Sequence, residues 1–192
     1  MNRPPLKPKN KDRRTREYLT ETEVGQLVDA AKKAGRHGHR DATMILVAFK
    51  HGLRVSELVL LRWEQVDLDQ GLLHVHRLKR GTPSTHPLGG TEIRALRKIK
   101  RDDPASCFVF NSERKGPMTP STFHRVVSRA GKLASLPFPA HPHMLRHATG
   151  FKLANDGQDT RAIQHYLGHK NIQHTVVYTT LTPERFRNFF PD

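Results

Sequence analysis

Apolar positions recur at three- and four-residue spacing over most of the chain, which predicts a mainly helical protein. The first such stretch is Val24, Leu27, Val28 and Ala31. It follows Thr20-Glu21-Thr22-Glu23, a capping box with Thr20 as N-cap and Glu23 at the third helical position. Gly35 and Gly38 close that helix. A second is expected over about 40–51, apolar from Met44 to Phe49 and therefore central, and Gly52 breaks it. A short third helix follows over about 55–61. The period then changes. Val66, Leu68 and Leu72 lie in short stretches split by Asp69-Gln70-Gly71, and Leu73 to Leu78 alternates apolar with polar, as a half-buried strand does. Lys79-Arg80-Gly81-Thr82-Pro83 reads as a turn and Ser84 to Leu88 as the returning strand, which puts Lys79 at a hairpin tip. Helices are again expected over about 90–101, 119–134, 142–156, 159–167, 172–179 and 183–190. Pro104, Gly116-Pro117 and Pro137-Phe138-Pro139 mark the loops between them. The pattern predicts an α+β, mainly α domain with a small antiparallel β-sheet over residues 18–192, behind a basic arm at 1–17.

Length and composition narrow the class. A chain of 192 residues is one domain in size. Hydrophobic residues make up 35%, low for a globular chain, but they cluster densely enough to build a core. The longest apolar run, Met44 to Phe49, is far short of the roughly 18 residues that span a bilayer. The N-terminus is basic with no apolar stretch behind it, unlike a secretory signal. Cys107 stands alone, so a disulfide scaffold or a cysteine-rich zinc module does not fit, and a reducing cytoplasm does. Lysine and arginine number 33 against 18 acidic residues, a net charge of +15 that points to a polyanion, with nucleic acid first.

Four separated segments carry chemistry. They are Gly52-Leu53-Arg54-Val55-Ser56-Glu57-Leu58, Leu78-Lys79-Arg80-Gly81, His141-Pro142-His143-Met144-Leu145-Arg146-His147, and Leu167-Gly168-His169 with Tyr178 nine residues further on. Two arginines, a lysine, histidines and a tyrosine are what phosphoryl transfer to a protein hydroxyl requires. Arginine forks fit non-bridging phosphate oxygens and stabilise a pentavalent transition state without a metal. A tyrosine oxygen can attack phosphorus reversibly, a lysine can protonate a leaving sugar oxygen, and a histidine can manage the tyrosine proton.

In that order these residues resemble the tyrosine recombinase (phage integrase) family over about 18–190. Within it, His76-Arg77-Leu78-Lys79, Thr85-His86-Pro87-Leu88, His141 to His147 and His174-Thr175-Val176-Val177-Tyr178-Thr179 look most like the fimbrial phase-variation (Fim-type) recombinases. The family's additional N-terminal clamp domain, common among relatives, has no counterpart in the basic arm, as in the Fim-type form. The resemblance implies the tyrosine-recombinase catalytic-domain fold and strand cleavage and rejoining through a 3′-phosphotyrosyl intermediate. It implies Arg54 and Arg146 as phosphate clamps, His143 as general acid/base, and His169 as a second histidine on the phosphate. Lys79 becomes the general acid for the 5′ oxygen, Tyr178 the nucleophile and Glu57 a supporting acid. No cofactor or metal is implied. The implied partners are double-stranded DNA with specific recombination sites, further copies in a tetramer on that DNA, and DNA-bending accessory proteins, in a cytoplasmic, nucleoid-associated setting and not a membrane. Whether the outcome is inversion, integration or excision is open.

Other readings of the same residues stand beside this one. A catalytically inactive DNA-binding regulator derived from a recombinase would keep the charge. A type IB topoisomerase shares the chemistry. His143 and His147, four apart, could face one way as zinc ligands, but Met144 stands where a metalloprotease needs glutamate. His141 and His147 otherwise read as helix-start and packing residues, and Tyr166 as core. Phe186, Phe189 and Phe190 give the last helix an apolar face that fits either its own core or a neighbouring protomer.

Overall fold

The computed structural model describes residues 16–77 and 81–179. Eight helices and three short strands follow in the order α1 (Glu21–Lys33), α2 (Gly38–His51), α3 (Val55–Val59), β1 (Val66–Asp67), β2 (Leu72–Val75), β3 (Ser84–Pro87), α4 (Gly90–Asp102), α5 (Pro120–Leu133), α6 (Pro142–Asn155), α7 (Thr160–Leu167) and α8 (Gln173–Thr179). The α+β, mainly α expectation holds. Most of the basic arm, Lys79 and the helix expected at 183–190 lie outside the described residues.

Each boundary has a local cause. Thr20 caps α1 with the expected reciprocal box: its Oγ1 accepts from the Glu23 N–H, and the Glu23 carboxylate accepts from the Thr20 N–H at 2.8 Å. Thr119 and Asp159 cap α5 and α7, and prolines open α5 and α6 where a missing N–H costs nothing. The strands form one antiparallel sheet in the order β1-β2-β3, with Leu73 facing Val66 on one side and His86 on the other.

α2 is the central helix. Met44, Ile45 and Val47 are fully buried, each contributing about 1.5–3 kcal/mol by leaving water. It packs against α1, α4 and α6. Thr149 of α6 donates its hydroxyl to the Phe49 carbonyl, and buried Asp41 binds Arg40 and Arg129, the latter from α5. A smaller core of Ala154, Ile163, Leu167 and Tyr178 lies under α7 and α8.

Two left-handed turns aim the chain at one place. Gly52 ends α2 at φ +55°, and Gly168 ends α7 at φ +63°, conformations that favour glycine. A Cβ on Gly52 would meet Leu167 Cδ2 at 2.4 Å, so the two helix ends pack directly on each other.

Candidate active site

Arg146 fills the space where these helix ends meet. It is 3% exposed on α6. One terminal nitrogen donates to the Gly52 carbonyl and the other to the Leu167 carbonyl at 2.7 Å. Its charge is therefore held by the negative ends of α2 and α7 rather than by a carboxylate. Burial, then the charges of Arg54 and Arg77, push its pKa down to about 9, still protonated at neutral pH.

Arg54 begins α3, and Glu57 one turn on holds it twice. The carboxylate accepts from the Arg54 N–H at 3.0 Å and from its guanidinium at 2.8 Å. The same carboxylate accepts from Arg77 at 2.8 Å. Burial pushes the Glu57 carboxyl up, but the Arg54 backbone bond and the charge and hydrogen bonds of Arg77 and Arg54 bring it below the ordinary range. Two guanidiniums thus bind one carboxylate, and the Arg146 charge lies near enough to act on both, a surplus of positive charge that suits an anion.

The turn after α7 carries His169. Its Nδ1 lies 2.9 Å from the hydroxyl of Thr175, which is wholly buried. Burial, then Arg146 and Arg54, push its pKa to about 3, so the ring is neutral. Tyr178, 2% exposed on α8, stacks on His169 with ring centroids 6.2 Å apart and meets Phe151 edge-on. Burial raises its pKa, with Arg146 acting the other way. The phenol oxygen lies 3.1 Å from Nδ1 of His147.

Arg54, Glu57, Arg146, His169 and Tyr178 are therefore brought together. His143 stands one turn before Arg146 and His147 on α6, exposed, with its ring edge-on to His147 at 4.5 Å. Lys79 lies outside the described residues, but Arg77 and Gly81 on either side of it both lie against the Gly168 turn: a Cβ on Gly81 would meet the Gly168 carbonyl at 2.8 Å. The structure adds three residues that the sequence reading did not place in the site. Arg77 has a wholly buried side chain that joins Glu57 to the Tyr166 carbonyl. The alternation Leu73, Val75, Arg77 put it on the inward face, which was the signal for it. Thr175 orients His169. His147, read as packing, is the hydrogen-bond partner of Tyr178. Tyr166 packs on the smaller core, with its hydroxyl on the Lys50 carbonyl.

Comparison with known proteins places this geometry. The description "Phage integrase family" matches residues 17–185. The chain belongs to that family, the tyrosine recombinases. It is similar to the type 1 fimbriae regulatory protein FimB of Escherichia coli (strain K12), 44% identical over 93% of this chain and 92% of that protein. FimE of the same strain is 40% identical over 89% of each. Tyrosine recombinase XerD of Pseudomonas putida is 35% identical over 88% of this chain and 59% of that protein. Among solved structures, the XerA recombinase superposes with a TM-score of 0.78 at 27% identity, covering 98% of this chain and 68% of that one. The Fim-type resemblance is borne out, and site-specific recombination is the family activity these relatives support. Among the described residues of this recombinase, no cluster of three or more His, Cys, Asp or Glu side chains could hold a metal ion, and no helix is long and apolar enough to cross a membrane.

Proposed function

We propose that this recombinase cleaves and reseals double-stranded DNA at specific sites, with Tyr178 forming the 3′-phosphotyrosyl link. The observation that carries this is the excess of guanidinium over carboxylate around Arg54, Glu57, Arg77 and Arg146, beside a buried phenol. A phosphodiester brings one negative charge, and its pentavalent transition state brings a second. Such a site therefore holds the transition state more tightly than the substrate. Arg54 and Arg146 clamp the non-bridging oxygens. With Thr175 as donor in its bond to Nδ1 of His169, the imidazole proton sits on Nε2 as a further donor to phosphate. The family resemblance gives the general acid/base part to His143 at the exposed mouth, and Lys79 gives a proton to the departing 5′ oxygen. The arginines take the part a metal ion plays elsewhere, so cleavage runs in EDTA.

The proteins FimB and FimE are named type 1 fimbriae regulatory proteins, which supports a role in phase variation. Solved structures of recombinases bound to DNA, one of them a dimer on its core site, support DNA as the partner and more than one copy upon it; a tetramer aided by DNA-bending accessory proteins is the full assembly proposed. The rival is an inactive DNA-binding regulator derived from a recombinase. Against it stands the grouping of Arg54, Arg146, His169 and Tyr178, the side chains that cleavage requires.

Nicked duplex DNA bearing the recombination site tests the reading, because loss of the short leaving strand traps any covalent product. Wild type should become linked at Tyr178, and Tyr178→Phe should bind the DNA without linking. A Tyr178→Phe protein that still forms the adduct would falsify the nucleophile assignment. A wild type that binds and never links would favour the regulator.

A further inference from the structure

α6 carries His143, Arg146, His147 and Gly150 at three- and four-residue spacing, and the last two meet Tyr178 of α8. Gly150 matters because it has no side chain: a Cβ there would lie 2.5 Å from Cε2 of Tyr178, so the phenol ring rests on the α6 backbone. That seat brings the hydroxyl to Nδ1 of His147 at 3.1 Å. The His147 ring is half-buried, meeting the Tyr178 ring at 5.8 Å between centroids and the exposed His143 ring at 4.5 Å.

We infer that His147 is the group that takes the Tyr178 proton during cleavage and returns it during resealing. The inference rests on Tyr178 being the nucleophile. The O–H bond of Tyr178 breaks and its proton passes to Nδ1 of His147. The freed oxygen forms the bond to phosphorus. The bond from phosphorus to the 5′ oxygen breaks, and that oxygen takes a proton from the Lys79 ammonium. In resealing, the 5′ hydroxyl gives its proton to the neutral Lys79 amine and attacks phosphorus, the bond from phosphorus to the tyrosine oxygen breaks, and the His147 imidazolium gives the proton back to that oxygen.

The surroundings time the step. Burial, then the charges of His143, Arg146 and His141, push the His147 pKa down to about 4, so in the empty site the ring is neutral and able to accept. Tyr178 faces it from α8, with the His169 ring stacked on the phenol. A bound phosphate offsets the Arg146 charge and so raises the proton affinity of His147 once phosphorus is in place. The base strengthens when substrate is present and stays weak when it is not.

The test uses the full chain, with Tyr178 either natural or replaced by difluorotyrosine, whose phenol is more acidic and needs a base less. Asparagine keeps a hydrogen-bond acceptor near the Nδ1 position but cannot take the proton. His147→Asn should therefore bind nicked DNA as wild type does and form the covalent link about 10²–10⁴-fold more slowly. Fluorination should restore most of that rate in His147→Asn, and should not restore Arg54→Ala, whose defect is charge stabilisation. Thermal melting checks the fold, and His147→Gln takes the place of His147→Asn if the latter melts early. A His147→Asn protein that cleaves at the wild-type rate overturns the inference and leaves only a hydrogen bond. So does a slow variant that the acidic tyrosine fails to rescue, since that marks a packing defect. Both results leave the nucleophile reading intact, whereas a wild type that never links removes it and this inference together.

Discussion

Glu57 is the residue on which the placement of Arg54 and Arg77 depends most, and its loss should be measurable as stability before it is measured as activity. Its side chain is 2% exposed, and that of its partner Arg77 is 0%. Glu57→Gln keeps the shape and removes the charge. The amide can accept on one side only, so either Arg54 or Arg77 faces an N–H instead of a carboxylate oxygen. Breaking a buried ion pair from one side costs about 3–5 kcal/mol, because the remaining charge stays buried without compensation. In a domain of this size each kcal/mol moves the melting temperature by roughly 2–4 °C, so the fall should be about 6–20 °C.

Thermal and urea unfolding of purified protein read this directly. Glu64→Gln provides the contrast, since Glu64 pairs with Arg62 at the surface, 69% exposed. That substitution should cost well under about 1 kcal/mol. Replacing both buried partners, Glu57→Gln with Arg77→Met, removes the stranded charge and should be more stable than Glu57→Gln alone. A Glu57→Gln protein melting within about 2 °C of wild type refutes the reasoning. So does a double variant less stable than either single one. Where Glu57→Gln remains folded, its cleavage of nicked DNA should fall more than its DNA binding, because Arg54 has lost its mount.

Three further outcomes follow from the same structure. Gly150→Ala puts a methyl group where the Tyr178 ring lies, so it should cost about 1–3 kcal/mol and unseat the phenol; covalent-complex assays that show wild-type rates reject the seat. Lys79→Ala should slow cleavage about 10²–10⁴-fold, and a sulfur in place of the 5′ bridging oxygen should restore it, because a thiolate leaves without a proton; rescue of Arg80→Ala instead moves the acid to its neighbour. His86, His147 and His169 have pKa values pushed down to about 3, 4 and 3 by burial and by nearby positive charge, so the folded chain binds fewer protons than the unfolded one between those values and about 6.5. Their contribution to stability is complete above about pH 6.5 and is lost as pH falls below it, by up to ~1.4 kcal/mol per pH unit for each ring. A urea midpoint that is the same at pH 7 and pH 5.5 contradicts this.

The helices were legible because their signals are local. Thr20 and Glu23, the apolar run of α2 and the prolines at α5 and α6 lie within one or two turns of what they specify. The strand pair around Leu73 and His86 was legible for the same reason, since alternation and a turn lie in adjoining sequence. The short 3₁₀ turn at Trp63–Gln65 and the bridge between Arg62 and Phe108 were not. They depend on a chain that returns from more than forty residues away, and no local pattern marks where it arrives.

The site divides along a similar line. Arg54, Arg146, His169 and Tyr178, which the fold brings together, stood out in the sequence because few side chains can grip phosphate, move a proton or attack phosphorus. His147 and Thr175 escaped because their role lies in what they face, and α8 meets α6 only in the folded chain. Arg146 shows the limit most plainly. Its two acceptors are the carbonyls of Gly52 and Leu167, groups that every residue supplies. No side chain at either position can advertise that function. What the sequence does encode is the pair of glycines at 52 and 168, whose left-handed turns bring those carbonyls to face one guanidinium. A binding site of this kind is specified by where the backbone turns, and the arginine is the visible half of it.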